Sequence, residues 1–145
     1  MQPDDMGSPA QWITFAESDL ALARHAGEEN VLLGSLCFHA QQAAEKSVKA
    51  VLVHRGVHFR KTHNLAVLLE LLPSDAAPSD GESIAGLTAY AVAARYPGVS
   101  DEIDEAEYRE SLAVARVRTG AMGPQCRTGG EAHRRSLTPR HLGAP

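Results

Sequence analysis

Cys37-Phe38-His39-Ala40-Gln41-Gln42-Ala43-Ala44-Glu45-Lys46-Ser47-Val48-Lys49-Ala50-Val51-Leu52 is the stretch that decides the fold. It is rich in Ala, Gln, Glu and Lys, all strong helix formers, and holds neither Gly nor Pro. His39, Gln42 or Ala43, and Lys46 follow one another at three- and four-residue steps and so share one helix face. Gln42, Glu45 and Lys49 lie close beside that line. Glu45 precedes Lys49 by four residues, the favourable order for an intrahelical pair worth a few tenths of a kcal/mol, so Lys49 reads as part of a solvated face, with phosphate contact as the alternative. Cys37 sits among apolar neighbours and reads as a small buried thiol. The helix extends outward in both directions, from about Asn30 or Val31 to about His54. Leu32, Leu33, Leu36, Ala40, Ala43, Val48, Val51 and Leu52 form its apolar stripe, Gly34 is a mild cost within it, and Gly56 stops it.

Upstream, Ser8-Pro9-Ala10-Gln11 is a helix start, with Ser8 as cap, Pro9 in the first turn and Gln11 closing a capping box. Trp12, Phe15, Ala16, Leu20 and Ala23 continue at helical spacing to about Ala26, and Gly27 is the stop. Downstream, Thr62 or Asn64 caps a short helix carrying Leu65, Leu68, Leu69 and Leu72, which Pro73 ends. Residues 73–83 read as a loop. A fourth helix is expected from about Glu82 to Ala94, broken by Pro97-Gly98. A fifth begins near Ser100 to Asp104, with acids in its first turn that complement the helix dipole, and runs through Val117. From Gly120 to Pro145 the sequence turns to Gly, Pro, Arg, Ser and Thr, which predicts disorder or weak order. The expected architecture is therefore all-α: an up-and-down helical bundle of four to five helices over residues 10–118, followed by a disordered basic tail over 119–145.

At 145 residues the chain is one domain by size. Aromatics make up only 5% of it, so the core must be mostly Leu, Val and Ala, which favours helix-on-helix packing over a β-sandwich. No apolar run approaches the roughly 20 residues that span a bilayer, and Met1 to Pro9 lack the basic start and apolar core of a signal peptide. Two cysteines, Cys37 and Cys126, make neither a disulfide framework nor a zinc site, and a reducing, cytoplasmic setting is the expectation. The net charge of −4 hides an asymmetry: from Arg116 onward there are six Arg against the single acid Glu131.

Four elements together resemble the HEPN domain family of small helical bundles. They are Ala16-Glu17-Ser18-Asp19-Leu20-Ala21-Leu22-Ala23, the Cys37–Ala50 stretch, Thr62-His63-Asn64-Leu65 with Leu68-Leu69, and Tyr90 with Arg95-Tyr96-Pro97. The match covers about Trp12 to Val117. The resemblance implies a nucleotide- or RNA-associated module, a homodimer, and a nucleotidyltransferase protein partner in a toxin–antitoxin-like pair. Some members of the family are metal-independent ribonucleases that use an Arg followed four to six residues later by a His. Here Arg95 has no His downstream until His133, and Arg60 lies only three positions before His63. The spacing occurs only from Arg127 to His133 and from Arg134 or Arg135 to His141, all in the Gly/Pro-rich tail. No catalytic residue is assigned, and the reading leans against an enzyme; the alternative is a metal-independent ribonuclease with a noncanonical active site.

The residues expected to contact nucleotide, RNA or a partner are His39, Gln42, Lys46, Arg60, His63, Arg95 and Tyr96. His39 can serve as acid or base or bond a phosphate, or it can be a partly buried His satisfied by a neighbour. Lys46 can meet a phosphate as a point charge. The segment from His54 to His63 is the most basic of the folded part. The start of the third helix is an expected phosphate site, although the same cations suit a helix C-terminus and His63 can simply cap. Arg95 and Tyr96 end the fourth helix, where Arg95 can bind a phosphate or a carboxylate, or last-turn carbonyls. The His spacing suits no metal, no phosphate loop is present, and no cofactor is expected.

Overall fold

Ser8 caps the first helix as its sequence requires. Its Oγ accepts from the Gln11 N–H at 3.1 Å, and the Gln11 side chain accepts from the Ser8 N–H at 2.8 Å. This computed structural model describes residues 6–93, 96–97 and 103–134, with the side chains of 93, 123–125 and 127–134 excepted. Within them the order is α1 (Pro9–Ala23), α2 (Leu33–His54), α3 (Leu65–Glu70), α4 (Gly81–Gly86), α5 (Thr88–Ala93) and α6 (Glu105–Arg134), with no strand among the described residues.

The long helices α1, α2 and α6 pack on one another, and the short helices close the rest of the bundle. The main core joins Ile13 of α1 and Val48, Val51 and Leu52 of α2 to Leu65 and Leu68 of α3, Ile84 of α4 and Met122 of α6. A second contact is almost all alanine: Leu20 and Ala23 of α1 meet Ala40 and Ala43 of α2 and Ala115 of α6. Small side chains there let three helix backbones approach closely. Leu36, Cys37 and Tyr108 make a third cluster, in which the Tyr108 hydroxyl donates to the Ala23 carbonyl. The Ser47 and Thr119 hydroxyls lie 3.1 Å apart and tie α2 to α6. Burial pushes the thiols of Cys37 and Cys126 up from their ordinary range.

The all-α bundle is as expected, but its punctuation differs. The first helix stops at Ala23, and the second starts at Leu33 because Asn30 adopts a left-handed φ of 65°, which an Asn tolerates and a helix does not. Gly56, with φ 68°, follows the end of α2. The expected fourth helix is two short ones. Tight three-residue bonds from Leu87 N–H to Ile84 O and from Tyr90 N–H to Leu87 O turn the chain between them, and the Thr88 hydroxyl accepts from the Leu65 N–H of α3. Counted as one interrupted helix, the pair gives five helices.

Of the tail expected from 119, the described part is helical: α6 continues to Arg134, and residues 135–145 lie outside the described residues. The reason is periodicity: Tyr108, Ser111, Ala115, Thr119, Met122 and Cys126 are all buried and recur at three- and four-residue steps, so the stripe facing α2 passes unbroken through the change in composition. Met122→Ala should therefore cost about 2–5 kcal/mol of stability in urea unfolding. An unchanged midpoint would mean that α6 does not pack beyond Thr119.

Candidate functional site

The polar face of α2 resolves into two carboxylate-centred clusters. The first is buried. Glu45 is 2% exposed, and its carboxylate accepts from Lys49 Nζ at 2.7 Å and from Gln41 Nε2 at 2.9 Å, with Gln42 Nε2 at 3.4 Å. His63 Nδ1 stands 3.2 Å from both Glu45 oxygens, and Gln41 Nε2 also reaches the His63 carbonyl at 3.4 Å. Lys49 is 6% exposed, and its Nζ lies 5.5 Å from the Trp12 ring and 5.7 Å from the Phe59 ring. Those two rings meet edge to face at 6.3 Å and roof the ion pair. The solvated-face reading of Lys49 is thus wrong. Glu45 stands in phase with Gln41, Val48 and Leu52, all buried, so its position on the helix carries it inward.

The second cluster lies at the surface between α1 and α2. Asp19 of α1 is 7% exposed. One of its oxygens bonds His39 Nδ1 at 3.0 Å and the other accepts from Lys46 Nζ. His39 and Lys46 are seven residues apart, two turns of α2, so both reach the same carboxylate. The His39 side chain is 32% exposed, and its one hydrogen bond among the described residues is at Nδ1. A carboxylate on Nδ1 fixes the ring and leaves Nε2 unengaged by those residues, an arrangement able to bond a ligand or take a proton. Lys46 Nζ also stands 5.9 Å from the ring of Phe15, which is 59% exposed on α1. Leu22, 47% exposed, lies seven residues further along the same α1 face.

The expected residues therefore divide. His39 and Lys46 come together at Asp19. Gln42 donates to the Gln41 side-chain carbonyl at 2.7 Å and bridges toward the buried cluster that holds His63. Arg60 is exposed in the α2–α3 loop, apart from both clusters, and Tyr96 is 58% exposed. Arg95 lies outside the described residues, as do the side chains of Arg127 and His133 and all of His141.

The anion site expected at the start of α3 is closed. Asn64 caps it, accepting from the N–H groups of Ala66 and Val67, while the Asn64 N–H donates to Thr62 and that of Leu65 to Thr88. With its first donors taken, α3 has none to offer a phosphate. His63 contacts Glu45 rather than capping.

Sequence reasoning missed Asp19, Gln41, Trp12 and Phe59 as partners. Asp19 was detectable, since it stands three residues after buried Ala16 and four before buried Ala23, an acid on an inward stripe. A second polar contact joins α5 to α6, where the Tyr90 hydroxyl donates to Glu107 at 2.6 Å. Burial, and then that carboxylate, push the phenol up to about 12. No group of three or more metal-ligating side chains occurs among the described residues, and none of their helices is long and apolar enough to cross a membrane.

Removing one partner of a buried pair strands the other charge. Lys49→Met should destabilise the fold by about 3–5 kcal/mol, and adding Glu45→Gln should recover part of the loss, because the stranded carboxylate is gone. Urea unfolding at neutral pH reads both variants. A double variant weaker than Lys49→Met alone would count against this account.

Comparison with known proteins agrees with the bundle. No functionally curated protein matches the chain. Among solved structures, TT1696 from Thermus thermophilus is similar at 26% identity with a TM-score of 0.63, over 77% of this chain and 93% of that one. ST0689, described as an archaeal HEPN homologue, is similar at 28% identity with a TM-score of 0.65, over 83% of this chain and 98% of that one. The model of the HEPN domain family matches residues 10–117, from the first turn of α1 to Val117 of α6, and so spans both carboxylate clusters and the alanine contact between the long helices. By that match the chain belongs to the HEPN domain family.

Proposed function

We propose that this HEPN domain is a nucleotide- or RNA-associated interaction module that works with a nucleotidyltransferase protein partner in a toxin–antitoxin-like pair, itself as a homodimer. The observation that carries the reading is the surface over Asp19. His39 and Lys46 are half-buried there, Gln42 lies on the same α2 face between them, and the exposed side chains of Phe15 and Leu22 flank them on α1. An apolar pair beside partly desolvated polar groups has the make-up of a protein interface, whose centre is apolar and aromatic and whose margin is polar. The interior charges of α2 already have partners, which supports contact over chemistry.

One observation favours the second reading, a metal-independent ribonuclease with a noncanonical active site. Asp19 holds the His39 ring by Nδ1, and an imidazole so oriented is what a general base requires. Among the described residues, Lys46, the nearest candidate to stabilise a transition state, is committed to the same carboxylate.

Two experiments separate these readings. Phe15→Ser combined with Leu22→Ser should abolish copurification with a co-expressed nucleotidyltransferase, or dissociate the homodimer in analytical ultracentrifugation, while leaving the far-ultraviolet circular dichroism unchanged. A monomer that never retains the partner even without substitution would refute the interaction reading. Purified protein should leave single-stranded and structured RNA intact; cleavage that disappears in His39→Ala would establish the ribonuclease reading instead.

A further inference from the structure

In a chain with 18 acids and 14 Lys or Arg, no Asp or Glu occurs between Glu45 and Glu70, while Lys46, Lys49, Arg55, Arg60 and Lys61 and three His do. The structure sorts these cations. Lys46 pairs with Asp19, Lys49 with Glu45, and Arg55 with Asp75 across the loop that follows α3. Arg60 and Lys61 are exposed and have no hydrogen bond or ion pair among the described residues. His58 is exposed beside them.

The segment that carries them is braced along its length. The Val57 N–H donates to the Leu52 carbonyl at 2.8 Å, Val57 and Phe59 pack on the main core, and the Phe59 ring meets Trp12. At its far end, His63 and its carbonyl are held by Glu45 and Gln41. Val57 and Phe59 turn inward, so the alternate residues His58 and Arg60 turn outward, about 6–7 Å apart for extended chain. Lys61, at the bend that ends this alternation, is exposed as well, so two cations and an imidazole reach solvent from a segment whose backbone is already braced, which reduces the ordering cost of binding.

We infer that the α2–α3 loop, through Arg60 and Lys61 with His58, binds a chain of phosphates. The ligand class is a single-stranded phosphodiester or polyphosphate, held by its charge and not by base identity. The inference rests on the RNA-associated part of the proposed function and gives it a surface separate from the Phe15–Leu22 face. The absence of free N–H donors at α3 means that side chains alone supply the contact, so binding should be strongly dependent on salt.

The test is fluorescence anisotropy of a labelled single-stranded RNA on the full chain, repeated with inorganic polyphosphate as competitor and over a salt series. Arg60→Ala with Lys61→Ala should weaken binding about tenfold at low salt and reduce the salt slope by about 1.4, for two phosphate contacts on a single strand. Arg109→Ala, which removes an exposed cation paired with Glu105 on α6, should change neither. Competition by polyphosphate would identify the phosphate chain itself as the ligand, and its failure to compete would overturn the claim that charge and not base identity holds it. Unchanged RNA binding in the double variant, or no binding by the unsubstituted chain at low salt, overturns the inference. So does loss of nucleotidyltransferase copurification in the double variant with RNA binding intact, because the loop would then be a protein contact. RNA binding lost in the double variant of a chain that never retains the partner would uphold this inference while the partner reading fails.

Discussion

A carboxylate placed in the interior sets the terms for the rest of this bundle. Glu45 is nearly inaccessible, and a charge so buried is tolerable only if it is paired and its lone pairs are occupied. Lys49 supplies the opposite charge, Gln41 and Gln42 supply amide donors, and His63 closes the side that faces the loop. Trp12 arrives from α1 and Phe59 from the α2–α3 loop to cover the lysine. Each partner comes from an element with its own hydrophobic reason to be there, yet the geometry at Glu45 works only when all are seated together. The interaction thereby selects one register of α1 against α2 and one path for the chain leaving α2, which apolar packing alone specifies less sharply.

Asp19 and Glu45, two of the acids of the α1–α2 region, divide their roles by depth. Glu45 lies under aromatic rings and organises the interior. Asp19 sits at the edge, where its two cationic or ionisable partners, His39 and Lys46, remain partly open to solvent. Among the described residues around these satisfied clusters, the groups left partly open to solvent include the His39 ring, Phe15 and Leu22 of α1, and the cations of the α2–α3 loop.

The helical content and the order of the helices were legible in the sequence, because period, caps and stops all agree there. Ser8 with Gln11, Asn64 before the leucines, and the apolar stripe of α2 each predict what the structure contains. What was not legible follows from three physical causes. Packing from other elements is invisible to a local pattern, so Lys49 read as surface although its four-residue spacing to Glu45 was correct; Trp12 of α1 and Phe59 of the α2–α3 loop cover it. A buried stripe can persist through unfavourable composition, and Thr119, Met122 and Cys126 kept α6 packed where Gly120 suggested an end. Donor saturation at a helix start depends partly on side chains elsewhere: beside the local acceptors Thr62 and Asn64, the Leu65 N–H at the expected α3 phosphate site is taken by Thr88, 23 positions away. For the site, the sequence chose His39 and Lys46 correctly as neighbours on one face but omitted Asp19, the residue that brings them together.

The alanine contact among α1, α2 and α6 has its own consequence for how this molecule tolerates change. Ala23, Ala40, Ala43 and Ala115 have no rotamers to surrender on folding, so the seam costs no side-chain entropy to order. For the same reason it has no means of adjusting. A longer side chain at any of these positions has no alternative conformer to retreat into and must lever two backbones apart, and the displacement would propagate along rigid helices to Asp19, one turn from Ala23, and to His39, next to Ala40. The seam is a fulcrum. Substitutions on either side of it alter contacts one at a time, whereas substitutions within it would move both charged clusters at once, without touching a single polar atom of either.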